Sequence, residues 1–267
     1  MAEDSSTVRF SNRANTYVRA RPSYPREIVA WLLDGFADRF SLTAADIGAG
    51  TGISSRLLAD FVGEVLAVEP NAEMAAAAEA HPRVTYVNAR AESSGLGSAS
   101  VDLVTYFQSL HWCEPAAAFY EAARILRPGG RFGAIWNERD ERDAFTAGYG
   151  AAIKEAAGEE ACRILERRAW RPDYAGELKR HRFERIEHAV FRNSQRLTRD
   201  MLLDRARSAS YIPLDGEVWS ELEKRLLALF TTFSDSRGEV TLRYRTSVHR
   251  ASYLQPDQMR RRSSDLE

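Results

Sequence analysis

The sequence predicts an α/β protein built on a parallel, doubly wound sheet. Three observations carry this. Between 43 and 136, short apolar runs alternate with helical stretches, the rhythm of strand–helix–strand units. One run, EVLAVE at 64–69, is largely apolar at successive positions, as in a strand buried on both faces. The first run ends in Asp46-Ile47-Gly48-Ala49-Gly50-Thr51-Gly52, where three glycines at alternate positions remove every Cβ from the inside of a tight turn. A helix opening at Thr51 or Gly52 would point its free N–H groups at the same spot, making a nucleotide-type cradle.

Taken in order, residues 1–9 are polar. Residues 10–36 read as a helical N-terminal cover: Phe10, Ala14, Tyr17 and Val18 fall at helical spacing, Pro22 and Pro25 interrupt it, and a second helix runs from Pro25 to Phe36. The cofactor-binding core, 43–136, carries strands at 43–48, 64–69, 83–88, 101–107 and 130–136, with helices at 52–61, 71–80 and 115–126. Asn71 is an N-cap residue, and Pro128-Gly129-Gly130 stops the helix before it. The rhythm breaks after Trp136. Residues 137–182 are polar and helical, at 140–157 and 159–168, and read as a cap insertion, too long for a plain connection. Residues 183–253 return to the sheet, with a strand at 183–193, a helix capped by Thr198, an amphipathic helix at 215–233 and a last strand at 238–253. Residues 254–267 read as a disordered tail, and the whole of 1–267 as one domain.

Composition narrows the function. The chain of 267 residues carries 37 Lys+Arg against 38 Asp+Glu, so no global positive field speaks for nucleic acid. Cys113 and Cys162 are too few for a disulfide framework. The five histidines show no metal-ligand spacing, so no metal is expected. No basic segment followed by an apolar run opens the chain, and no apolar run approaches the ~18 residues of a span. The expectation is a soluble cytoplasmic protein, monomeric or homodimeric, with no membrane or nucleic-acid partner.

The cradle selects among nucleotides. In the dinucleotide fingerprint the third glycine comes one residue later, where this chain has Ile53. No P-loop Lys follows the glycines, which disfavours triphosphates. Asp46 would set a carboxylate beside a pyrophosphate, yet suits an ammonium or sulfonium. Glu69 ends the second strand, where a carboxylate accepts ribose hydroxyls. A ligand with a ribose, a cationic far end and no phosphate is S-adenosylmethionine.

The strings ADIGAGTG, VLAVEPNAEM, ARAE, VDLVTYFQSLHW and ILRPGGRFGAIWN resemble, in order and spacing, the motifs of class I S-adenosylmethionine-dependent methyltransferases. The branch resembled is the small-molecule one that includes trans-aconitate methyltransferase-like enzymes. Arg13-Ala14, Tyr17, Arg21-Pro22 and Tyr24-Pro25 are similar to its usual opening. The resemblance covers 10–136 well and the last strand loosely. It implies a Rossmann-like seven-stranded methyltransferase sheet of order 3-2-1-4-5-7-6 with strand 7 antiparallel. It implies transfer of a methyl group from S-adenosylmethionine to a small-molecule acceptor, leaving S-adenosylhomocysteine. Carried over residue by residue, it places Asp46, Gly48, Gly50 and Gly52 along the methionine and ribose part. Asp46 would reach the amino group directly or through water. Glu69 would hold the ribose hydroxyls, Pro70 and Met74 the adenine face, and Ala91 and Glu92 its edge. Arg90 departs from the acidic or small polar residue usual before that pair. Gln108 would sit near the methionine portion, with Tyr17 and Arg21 at its end.

His111, after strand four, is the one base with a position; the alternative is a packing or substrate-contacting His beside Trp112. Trp112 and Trp136 either wall the acceptor pocket or pack the core. Tyr24 and Arg139 are acceptor-contact candidates, although Arg139 and Arg142 also read as solvated helix charge. A cofactor-binding regulatory protein of the same fold without catalysis is the alternative function. An RNA or protein methyltransferase and an NAD-dependent oxidoreductase are weaker readings.

Overall fold

The computed structural model describes residues 20–166, 170–209 and 211–254. The helix expected before residue 19, Tyr17 within it, the end of the second cap helix and the tail beyond 254 lie outside these residues.

Seven strands form one sheet: β1 Thr43–Ile47, β2 Glu64–Val68, β3 Val84–Val87, β4 Val101–Phe107, β5 Leu126–Arg139, β6 Phe183–Leu197 and β7 Val240–Tyr253. Their order is β3-β2-β1-β4-β5-β7-β6, the order the resemblance implies. β1 pairs in parallel with β2 and β4, β2 with β3, and β4 with β5. β7 is antiparallel to β5: the Asp140 amide donates to the Arg243 carbonyl, while Asn137 meets Thr246, so one number rises as the other falls. The helices are α1 Arg26–Leu32, α2 Ile53–Ala59, α3 Ala72–Ala76, α4 Pro115–Ile125, α5 Ala144–Glu166, α6 Pro172–Arg180, α7 Arg199–Arg207 and α8 Gly216–Phe233. α5 breaks at Gly158, which takes φ 67°, the point where the sequence separates two cap helices.

The caps follow the residues. The Asn71 side chain accepts from the amides of Glu73 and Met74 at 3.0 and 3.1 Å, opening α3. The Glu114 carboxylate accepts from the amides of Ala116 and Ala117 at 3.2 and 2.7 Å, and Pro115 fills the first helical position of α4. β5 begins earlier than the sequence indicates. Leu126 pairs with Val101 and Arg131 with Leu103, so Arg127 to Gly130 bulge out of the ladder, where Pro128 has no N–H to donate.

The chain divides into two compact units. The core unit comprises Arg26–Trp136, Ala169–Val190 and the described part of Ser247–Glu267. The second unit comprises the described parts of Met1–Pro25, Asn137–Arg168 and Phe191–Thr246. In the core unit, Val104, Tyr106, Phe119, Phe132, Trp136 and Phe183 form one buried cluster. In the second, α5, α7 and α8 bury Phe145, Tyr149, Ile153, Leu202, Leu222 and Leu226 together. One correction to the cap insertion emerges. Its last part, α6, lies in the core unit, where Tyr174 meets Phe119 edge-on at 5.5 Å and Leu178 is fully buried. Only these two apolar residues, at i and i+4, mark its buried face, too few to signal a helix of the sheet layer.

Within the core unit, Glu121 of α4 ties down the connection from β3 to β4. It is buried and accepts from the Ser94 amide at 2.7 Å, the Ser94 hydroxyl at 2.5 Å and the Arg124 guanidinium at 2.7 and 2.8 Å. Burial works to raise its pKa, but the bonds from Arg124 and Ser94 outweigh that and hold the carboxyl below its ordinary range. A lowered folded value stabilises above the unfolded pKa and is lost as pH falls through the folded one. Urea denaturation should show Glu121→Ala less stable by about 3 kcal/mol at pH 7, with the gap from wild type closing below about pH 4.

Candidate active site

Gly48, Gly50 and Gly52 take φ of 69°, 56° and 76°, a left-handed run that residues with a Cβ resist. Space forbids side chains as well. A Cβ on Gly48 would lie 2.5 Å from the Ser109 Cβ, and one on Gly52 would lie 2.6 Å from the Tyr86 hydroxyl. The amides of Gly48 and Ala49 both donate to the Val68 carbonyl, at 2.8 and 3.1 Å, so the turn is pinned to the end of β2.

Glu69 clips the turn from the other side. One carboxylate oxygen accepts the Gly50 amide at 2.7 Å and the other the Asn71 amide at 2.9 Å. The Tyr86 hydroxyl donates to the Gly50 carbonyl at 3.1 Å. The Thr51 hydroxyl is buried in the same turn without a hydrogen-bond partner. Pro70 is exposed, while Met74 is buried with its Cε 3.4 Å from where a Gly50 Cβ would stand.

Asp46 occupies a different place from the one expected. It is 0% exposed and presents no surface to a ligand. One oxygen accepts from the hydroxyls of Ser54 and Ser55 at 2.6 and 2.7 Å, and the other from Thr105 at 3.3 Å. Direct contact with a cofactor amino group is therefore replaced by a positioning role: Asp46 fixes α2 and β4 to the end of β1. Burial pushes its carboxyl above the ordinary value, against the lowering effect of those hydroxyls. Burial likewise raises Glu69, against the bonds from Asn71 and Gly50, with Asp46 adding a smaller upward push. Neither carboxylate forms an ion pair within the described residues.

At the end of β4, Gln108 takes φ 56°, unusual for a residue with a Cβ and a mark of local strain. The Ser109 hydroxyl donates to the Ile47 carbonyl at 2.5 Å, joining this end to the glycine turn. A 3₁₀ turn, Leu110–Trp112, follows. It sets the His111 ring beside Trp112, centroids 5.0 Å apart, with Trp112 exposed. Trp136 is 1% exposed and lies in the core cluster, so the reading of it as an acceptor wall gives way to packing. Ala91 is half-buried, and Glu92 accepts the Glu114 amide at 2.9 Å with Arg90 at 3.9 Å.

The core unit thus brings together Asp46, Gly48, Gly50, Gly52, Glu69 and Met74. Arg21, Tyr24 and Arg139 belong to the second unit. There Arg21 donates to the Ser208 carbonyl at 2.9 Å, and the Arg139 guanidinium lies 5.0 Å from the Tyr149 ring centre. Arg142 is exposed and held by Asp140 through two bonds of 2.7 Å. Sequence reading missed Thr51, Ser54, Ser55, Tyr86 and Ser109. Ser54 and Ser55, eight and nine positions beyond Asp46 on the first turn of α2, were the available signal; Tyr86 and Ser109 reach the turn only through strand pairing.

The residues fit an adenosylated sulfonium. The turn is bare of Cβ atoms, Gly48 and Gly50 retain accessible surface, a buried hydroxyl stands unpartnered, and two uncompensated carboxylates favour a cation. A sequence profile for the methyltransferase domain matches residues 45–134. A protein from Anaeromyxobacter dehalogenans assigned as a type II methyltransferase superposes with a TM-score of 0.56 at 27% identity, covering 88% of this chain and 97% of that one. A protein from Anabaena variabilis, assigned as a methyltransferase of an antibiotic biosynthesis pathway, has the same fold: TM-score 0.59, 22% identity, 87% and 98% of the two chains. The protein is a class I S-adenosylmethionine-dependent methyltransferase. It belongs to the same family as an uncharacterized methyltransferase of Mycobacterium tuberculosis, 34% identical over 251 residues that cover 92% of this chain and 96% of its relative.

Two outcomes test this geometry. Gly48→Ala should cost about 3 kcal/mol in chemical denaturation, from left-handed strain and the clash with Ser109. Adding Ser109→Gly should return about 1 kcal/mol as coupling in a double-mutant cycle; strict additivity would mean the two residues do not press on each other. The second outcome concerns pH. A raised folded pKa means the native state binds more protons than the unfolded chain between the two values, so stability falls as pH rises across that window. The stability of wild type relative to Asp46→Asn should therefore decline from about pH 4 upward, and a flat difference would contradict a desolvated Asp46.

Proposed function

We propose that the chain binds S-adenosylmethionine in the glycine turn of the core unit and methylates a small-molecule acceptor. The observation that carries this is the turn clipped by Glu69: bare backbone, a carboxylate at the end of β2, and a second one below it with no cation paired to either. Phosphate-rich nucleotides are repelled by that charge, whereas a sulfonium is favoured. Gly48 and Gly50 would lie along the methionine part. Each Glu69 oxygen uses one lone pair on a backbone amide and keeps another for a ribose hydroxyl. Pro70 and Met74 would face the adenine, Ala91 and Glu92 its edge, and Gln108 the methionine portion. The acceptor is read as small because the charges balance at 37 Lys+Arg against 38 Asp+Glu, without the positive excess that nucleic acid draws on. Among the described residues no helix is long and apolar enough to cross a membrane.

S-adenosylmethionine supplies a methyl group on a sulfonium sulfur that departs as a neutral thioether. The protein's work is then chiefly positional. Residues at the strand ends hold the acceptor in line and keep water away, an alignment worth roughly 7–11 kcal/mol. Where the acceptor atom carries a proton, His111 is the group to take it, an effect of about 10²–10⁴-fold. The exposed face of Trp112 beside it offers a surface for a cation or an apolar acceptor, worth about 0.5–2 kcal/mol.

Calorimetric titration with S-adenosylmethionine is the direct test. Wild type should bind, and Glu69→Ala should lose more than about tenfold in affinity, ~1.4 kcal/mol or more. Asp46→Ala should lose as much while also melting lower, because Ser54 and Ser55 forfeit their acceptor. His111→Ala should depress turnover, measured by transfer of a labelled methyl group to fractionated cell extract, more than cofactor affinity. Wild-type affinity in Glu69→Ala would remove the cradle from the cofactor site, and equal losses in His111→Ala would make that residue a cofactor contact.

A further inference from the structure

Among its described residues, the second unit holds one buried charge with no carboxylate paired to it. Arg205 of α7 is 6% exposed. The groups that act on it are the hydroxyl of Tyr244, which also hydrogen-bonds it, those of Tyr149 and Tyr211, and that of Ser208, 3.4 Å from Nη1; burial works to lower its pKa, and the phenols outweigh that and raise it. No carboxylate among the described residues lies within ion-pairing distance of it. A tyrosine hydroxyl offers a dipole, not a counter-charge, and burial pushes the Tyr149 phenol further up, away from ionisation. The guanidinium stays protonated in any protein environment, so burying it unpaired is costly. Its Nε–H is buried with no acceptor. Nε lies on the edge of the guanidinium that carboxylates and phosphates grip through two parallel bonds.

Further positive charge stands close by. Arg139 lies over the Tyr149 ring at 5.0 Å, and both guanidinium groups act on the Tyr149 hydroxyl. Arg21 donates to the carbonyl of Ser208, the residue whose hydroxyl meets Arg205. Tyr244 bonds Gln195 at 3.3 Å, and Gln195 bonds the Ala20 carbonyl at 3.0 Å, so the phenol beside Arg205 is held in place. Among the described residues, this buried guanidinium has phenols around it, an unused donor and no anion.

We propose that Arg205, with Arg139 and Tyr149, forms a subsite for the oxyanion, carboxylate or phosphate, of a small-molecule ligand. Oxyanion binding stands on the second unit alone and does not depend on the methyltransferase reading above.

The test is thermal denaturation of the full chain with sodium succinate or sodium phosphate, against sodium chloride of equal ionic strength and uncharged dimethyl succinate. One oxyanion or both should raise the wild-type melting temperature by about 3 °C at ten times its dissociation constant, and the two controls should not. A shift with succinate alone assigns a carboxylate, and with phosphate alone a phosphate group. Arg205→Met should abolish the shift and, without ligand, melt no lower than wild type, since it removes an unpaired buried charge. Arg205→Lys, which keeps a charge, should retain part of the shift. The proposal falls if neither oxyanion exceeds chloride, if dimethyl succinate shifts as much as succinate, or if Arg205→Met melts several degrees lower without ligand. Calorimetry with S-adenosylmethionine on the same wild-type sample separates the readings. Cofactor binding without an oxyanion shift overturns the subsite alone; an oxyanion shift without cofactor binding overturns the cofactor reading and leaves the subsite.

Discussion

The core unit depends on one buried carboxylate. Asp46 stands in β1 with Thr105 directly across on β4, and its oxygens gather the hydroxyls of Ser54, Ser55 and Thr105. Through them it fixes where α2 begins, and thus where the glycine turn must end. The turn has no freedom left at its other side, where the Val68 carbonyl takes two of its amides and Glu69 a third. The glycines follow from this closure. With Ser109 pressed against Gly48 and the Tyr86 hydroxyl against Gly52, only a residue without a Cβ fits either place. The cradle is therefore the shape left when three strand ends are tied together.

That closure has an electrostatic consequence. Asp46 and Glu69 are both desolvated, and Asp46 adds to the cost of ionising Glu69. Hydroxyls and amides lower that cost without cancelling the charge. A cationic ligand placed over the turn regains what burial takes away, and an anionic one adds to the penalty. The strain at Gln108 belongs to the same economy of position: a left-handed residue at the end of β4 turns the chain sharply into the 3₁₀ segment that carries His111. Strand ends of a parallel sheet collect such features because the ladder stops there and the backbone must find other partners.

The strand–helix alternation, the glycine turn and Glu69 were legible in the sequence because each has a local signature of period, composition or offset, whereas the sheet order followed only from the resemblance of the motif series. Asp46 was legible as important yet not in its role, because burial depends on which hydroxyls fold over it. The Ser54-Ser55 pair carries that information only once α2 is known to start at Ile53. Trp136 read as either a pocket wall or core packing because position alone does not say which face of β5 it takes; its indole completes the cluster of Tyr106, Phe119, Phe132 and Phe183. α6 escaped because Tyr174 and Leu178 alone face inward. Arg205 was invisible: in LTRDMLLDRARSAS it reads as one more solvated helix charge, and its surroundings come from Tyr149 of α5 and Tyr244 of β7 as well as from Tyr211 just beyond its own helix.

The two units carry charge of opposite sign that their described residues do not neutralise. The cradle of the core unit is negative and suits a sulfonium; the Arg205 cluster of the second unit is positive and suits an oxyanion. The same constraint stands behind both. A buried ionised group whose neighbours offer only hydroxyls and amides is made less costly without being neutralised, and the attraction that remains is left for an ion of the other sign. At the glycine turn those neighbours are the hydroxyls of Ser54, Ser55 and Thr105 and the amides of Gly50 and Asn71. At Arg205 they are the Ser208 hydroxyl and the tyrosine phenols. A carboxylate set beside either place would act in opposite senses, adding to the cost at the turn and offsetting it at Arg205.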